Sequence, residues 1–96
     1  MAAAESTPSG VPPIPEGFHV EPAGVVMTSL KPANDGKDWI ARIYNASAQP
    51  CAARLVNAEG KSINTWQSDL YEVKGERVKE ALDMLPYEFA TLRVRM

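Results

Sequence analysis

Ninety-six residues with a formal net charge of −2 and a sequence pI of about 5.3 describe one small acidic domain. At 45% hydrophobic residues, the chain can fill one core and differs from the disordered class. Its ten Lys and Arg are scattered among twelve acids, and its apolar runs are short, so neither nucleic acid nor membrane is an expected partner.

Residues 1–17 carry Pro8, Pro12, Pro13 and Pro15 with Gly10, Gly17, Ser6 and Ser9, a linker composition. This stretch is expected to be a lead-in tether, laid in part against the domain through Val11 and Ile14, with residues 18–96 forming the domain itself. A proline-rich recognition ligand is the alternative, but no basic residue flanks these prolines. The start, MAAAESTPSG, lacks the basic and apolar regions of a secretory signal. Together with a single cysteine, this points to a cytoplasmic setting.

Phe18-His19-Val20 alternates apolar and polar, which predicts a short edge strand stopped by Pro22 and Gly24. His19, the only histidine, then faces solvent. Next comes a hairpin. Val25–Leu30 is one arm and Trp39–Tyr44 the other, around a turn rich in Pro32, Asn34, Asp35 and Gly36. In the second arm Trp39, Ala41 and Ile43 share one face, and Ile40, Arg42 and Tyr44 the other. Large apolar groups on both faces predict a central strand, whereas the phase of the first arm is ambiguous.

Asn45-Ala46-Ser47 matches a glycosylation sequon, but the triplet is common by chance and an asparagine that ends a strand by bonding its own backbone is the preferred reading. Cys51–Val56 is expected to be a strand with Ala53 and Leu55 inward and Arg54 outward, and Cys51 a small buried hydrophobe. Asn57–Lys61 is a turn, Ile63–Gln67 a strand, and residues 68–72 continue or bend it. Arg77–Leu82 reads as strand in preference to one helical turn. In the last segment, Pro86–Arg95, Tyr87 and Phe89 are out of phase with Leu92 and Val94. A β-bulge near Ala90-Thr91 would bring both pairs inside and leave Arg93 and Arg95 in solvent.

About seven short strands with no helix of ordinary length predict an all-β fold, a small antiparallel β-sandwich of immunoglobulin-like architecture. Catalytic patterns are not found. Asp35, Asp38, Glu59, Glu76 and Glu80 flank turns and read as solvated surface. Asp69 and Glu72 fall on opposite faces of a regular strand. One histidine and one cysteine cannot make a metal cluster, and no glycine-rich phosphate loop or nucleophilic triad is visible. Trp39 reads as core. Trp66, flanked by Thr65 and Gln67, is a candidate platform for a sugar or partner, with Tyr71 the second candidate.

Three segments in order carry a resemblance. They are Leu30-Lys31, Asn34-Asp35-Gly36 and Arg42-Ile43-Tyr44-Asn45 within the hairpin, then Asp69 to Glu72, then Pro86 to Arg93. Together they resemble the C-terminal β-sandwich domain of glycoside hydrolase family 38 α-mannosidases, over roughly residues 22 to 96. The resemblance implies a non-catalytic accessory domain of an α-mannosidase-like enzyme, packing on the catalytic part and shaping its substrate cleft. It implies that zinc and the carboxylate nucleophile belong to a separate catalytic barrel. No catalytic residue, metal ligand or cofactor is therefore placed on this chain. The implied partner is that catalytic domain, with mannosides as possible ligands. A stand-alone carbohydrate-binding or protein-interaction module is the alternative.

Overall fold

The computed structural model describes residues 13–69 and 74–96. Among the described residues, eight strands form two antiparallel sheets: β1 His19–Glu21, β2 Val25–Pro32, β3 Trp39–Asn45, β4 Cys51–Val56, β5 Asn64–Ser68, β6 Lys74–Val78, β7 Leu82–Met84 and β8 Phe89–Arg95. One sheet has the order β1-β4-β7 and the other β2-β3-β8-β5-β6. The all-β sandwich expected from the sequence is therefore present, with eight strands where about seven were expected.

The β2–β3 hairpin lies where the turn chemistry places it, and β3 is central, paired to β2 on one side and β8 on the other. Its turn closes through Ala33 N–H donating to Asp38 O at 2.9 Å and Gly36 N–H to Ala33 O at 3.0 Å. Gly36 sits at φ 71°, a conformation that glycine adopts without a Cβ penalty. The ambiguous phase of β2 has a structural cause, because the register shifts between Met27 and Ser29. The extra residue, Thr28, donates its hydroxyl to Arg42 O at 3.2 Å. The bulge re-phases β2: Val25 and Met27 face the core before it and Leu30, opposite the inward Ala41, after it.

The core lies between the sheets. Trp39, Ala41 and Ile43 of β3 and Leu92 and Val94 of β8 meet Ala53 and Leu55 of β4 and Met84 of β7. Phe18 and Val20 pack at its margin, as does Cys51, which is only partly buried. Residues 77–82 form no helical turn, but the expected strand is present only at its two ends, with a bend at Lys79-Glu80 between them. Arg77 and Val78 end β6 in the larger sheet, and Leu82 begins β7 in the smaller one, so this segment carries the chain between the layers.

Two expectations for the last segment fail. Pro86 and Tyr87 lie in a turn, and β8 begins at Phe89 and pairs with β3 without a register shift. The expected bulge near Ala90-Thr91 is absent. Strict alternation keeps Leu92 and Val94 inward and leaves Phe89 on the outer face, 60% exposed, with Tyr87 57% exposed. The outer aromatic finds a partner there: Tyr44 and Phe89, opposite one another across β3 and β8, stack with centroids 4.4 Å apart.

Arg93 is the second failure. It is on the outer face, as alternation requires, but it is buried and not in solvent. Asp38, expected at the surface, is fully buried beside it. The charges compensate one another across the hairpin turn, which lets both leave water.

The lead-in is described only from Pro13, so Val11 lies outside the described residues, and Ile14 is exposed. Where the chain enters the domain, Gly17 has φ 78°, and a Cβ there would come 2.5 Å from the Cβ of Ala58. Among the described residues no helix is long and apolar enough to cross a membrane.

Candidate functional site

The outer face of the five-stranded sheet carries the chemistry that the core does not need. Alternation along β2, β3, β8 and β5 turns Val26, Tyr44, Phe89, Arg42, Thr91, Ile40, Arg93, Arg95 and Trp66 to this side. The pairing register arranges them as rows. At one end Val26 opposes Tyr44, which opposes Phe89. At the other, Arg93 opposes Ile40 on one side and Trp66 on the other.

The first end is apolar. Val26 and Phe89 are exposed, as is Tyr87 in the turn entering Phe89, while Leu85 of the same turn, 67% exposed, lies beside Pro50, Cys51 and Ala52. That turn is held rigidly. Leu85 N–H donates to Glu88 Oε1 at 2.7 Å and Glu88 N–H to Leu85 O at 3.2 Å. Fully buried Asn45 ties the turn to the end of β3: its Nδ2 donates to Leu85 O at 3.0 Å and to Gln49 O at 2.8 Å. Its Oδ1 accepts from Ser47 N–H at 3.1 Å. Asn45 thus ends the strand through local backbone bonds, and its burial takes the sequon side chain away from modification. Tyr87 has φ 60°, a left-handed conformation that a bulky residue adopts only under constraint.

A shallow groove of about 500 Å³ runs beside this end, where Phe89 and Arg42 meet Asp69, Asp83 and Glu88. The Glu88 carboxylate is already engaged by the Leu85 backbone.

The second end is ionic. Arg93 Nε donates to Asp38 Oδ2 at 2.7 Å, and Arg93 Nη2 donates to Asp35. Arg95 Nε donates to Asp38 Oδ1 at 2.9 Å and Nη2 to Oδ2 at 3.3 Å. Burial by itself would raise the Asp38 pKa, but the bonds from Arg95 and Arg93 outweigh it and hold the carboxyl below its ordinary value of 3.8. Asp35 is lowered chiefly by Lys37 N–H, which donates to its Oδ1 at 2.9 Å. Arg95 is raised by its bonds to Asp38.

Trp66, the first candidate from sequence, lies at this end and is half-buried. Its ring is not a bare platform. Lys74 Nζ lies 4.4 Å from a ring centroid, Arg95 Cζ 5.1 Å and Arg77 Cζ 5.8 Å. Tyr71, the second candidate, lies outside the described residues. Sequence reasoning missed the Asp35–Asp38–Arg93–Arg95 network. Its one legible sign was two acids in a turn and two alternating arginines in the final strand, with nothing local to bring them together.

Among the described residues no three His, Cys, Asp or Glu side chains are grouped to hold a metal ion. His19 is partly exposed, 3.5 Å from Glu21. The fold and its surface define a two-sheet antiparallel β-sandwich module whose distinctive groups lie on an open sheet face. A family model for the C-terminal beta sandwich domain of glycosyl hydrolases family 38 matches residues 24–92, and the chain belongs to that family. Comparison with curated proteins and with solved structures gave no match.

Proposed function

We propose that this chain is a non-catalytic accessory β-sandwich of an α-mannosidase-like hydrolase, docking on the catalytic part and helping to shape the substrate cleft. The apolar row Val26–Tyr44–Phe89, with exposed Tyr87 in the turn that enters it, carries this reading. Single exposed hydrophobes are ordinary, but aromatics and aliphatics grouped on one sheet end form the kind of surface that proteins cover with a partner. Aromatic residues at the centre of such a patch supply most of the energy of an interface. The strained backbone of Tyr87 supports the same reading, because the fold gains nothing evident from holding that ring outward.

The test is binding to a family 38 catalytic part that lacks its own C-terminal sandwich. The chain is expected to bind it and, alone, to leave α-mannosides uncleaved. Phe89→Asp is expected to weaken binding by about a hundredfold, the scale of an interface hot spot, without unfolding the domain. Equal affinity of the variant and the parent chain would remove the docking reading.

The groove beside Phe89 favours a second reading, contact with a mannoside. An exposed aromatic beside Arg42, Asp69 and Asp83 combines a stacking surface with hydroxyl-binding groups. NMR shifts at Phe89 on adding a mannoside would support it, and shifts at neither Phe89 nor Trp66 would reject it.

A further inference from the structure

The geometry points to an oxyanion-binding site at Trp66, formed by Lys74, Arg77 and Arg95 and suited to a phosphate or sulfate group. The site stands apart from the docking surface and does not depend on it.

Three strands converge here. Arg77 opposes Trp66 across β5–β6, Arg95 comes from β8 on the other side, and Lys74 enters from the start of β6. All three cations lie within 5.8 Å of a Trp66 ring centroid. They are therefore within roughly 10–12 Å of one another, where two like charges repel by about 0.4 kcal/mol in water and about 1.5 kcal/mol near a protein surface. The indole attracts each cation by about 0.5–1 kcal/mol, which offsets the repulsion without removing it.

Among the described residues, the nearby acids do not neutralise the cluster. Asp35 and Asp38 oppose Arg93 and Arg95, so those two carboxylates are matched by two arginines before Lys74 and Arg77 are counted. Among the described residues, Lys74 and Arg77 form no ion pair. Arg77 Nη2 donates to Asn64 Oδ1 at 2.6 Å, and the exposed Glu76 of β6 pairs with neither cation. Protection of an edge strand explains an exposed lysine on β6. It does not explain a guanidinium from the third strand in, oriented toward the same ring by the fully buried Asp38.

Orientation is what makes this a site. Asp38 fixes Arg95, Asn64 holds Arg77, and the indole lies among all three cations. Arg95, with a side chain 49% exposed, and the exposed Arg77 and Lys74 retain N–H groups open to solvent. An oxyanion among them adds an attraction to each cation that opposes their mutual repulsion, and it accepts charge-assisted hydrogen bonds from them.

The experiment is an NMR titration of the whole chain at constant ionic strength, following the Trp66 indole N–H and the arginine side-chain signals. The probes are inorganic sulfate, inorganic phosphate, a methyl mannoside 6-phosphate and uncharged methyl mannoside, with chloride as the reference. Sulfate and phosphate are expected to give saturable shifts at Trp66, with an affinity of about millimolar. Lys74→Gln and Arg77→Gln are each expected to weaken binding about tenfold, one charge-assisted bond, while the Trp39 indole signal stays in place and reports an intact core. Tighter binding of the sugar phosphate would identify a charged glycan as the source of the group, and equal binding a free oxyanion. Shifts no different from those in chloride, or variants that bind as the parent chain does, would overturn the proposal.

Discussion

Asp38 is the residue on which the ionic end depends. It is fully buried and accepts hydrogen bonds from two arginines, so removing its charge takes one of its carboxylate partners from Arg93, whose side chain is only 8% exposed and keeps Asp35. Asp38→Ala is expected to cost about 3 kcal/mol in chemical denaturation, the low end of the penalty for breaking a buried pair from one side, because Asp35 still compensates Arg93. The pH dependence follows from the lowered folded-state pKa. The stabilisation is complete above the ordinary carboxylate value of 3.8 and is lost as pH falls through the still lower folded value. Asp38→Asn is expected to flatten that acid limb, as read by melting temperature between neutral pH and pH 3. Asn45 has a similar structural weight. Asn45→Ala leaves Leu85 O and Gln49 O without its amide donor, for an expected loss of about 2–3 kcal/mol. Tyr87 runs the other way: Tyr87→Gly relieves a left-handed backbone and is expected to raise stability by up to about 1 kcal/mol while weakening docking. A fall in both quantities would show that the ring supports the fold.

At the scale of elements, the hairpin was legible because its signals are local. Apolar arms with Pro32, Asn34 and Gly36 between them specify β2 and β3 with little help from the rest of the chain. The β4 strand and the Asn57–Lys61 turn were legible for the same reason. The final strand was misread because two physical solutions fit one pattern. A bulge could have taken Phe89 into the core, but unbroken alternation keeps Leu92 and Val94 inside and exposes Phe89 to stack on Tyr44. A bulge does occur, in β2, where the sequence showed only ambiguity. Long-range electrostatics were illegible altogether. Asp38 and Arg93 are 55 residues apart, and only the pairing of β3 with β8 brings the hairpin turn to Arg93 and Arg95. The same limit applies to Trp66: its neighbours Thr65 and Gln67 made it a candidate contact, but the cations around it come from β6 and β8.

The whole molecule is a sandwich with one face committed to its core and the larger sheet's outer face divided between an apolar end and a cationic end. The family match begins at Gly24, after β1, and stops at Leu92, before Arg93 and Arg95. The matched stretch therefore spans the hairpin, β4 and β7 of the smaller sheet, and the positions of Val26, Tyr44 and Phe89. The two arginines that organise the ionic end lie beyond it. This division suits a module that is held by its apolar end and presents its cations at the other. The most direct measurement is hydrogen exchange on the chain, free and bound to a family 38 catalytic part. The expected result is new protection along β2, β3 and β8 around Val26, Tyr44 and Phe89, including the Leu85–Glu88 turn. Protection confined to β1, β4 and β7, or none at all, would contradict the account.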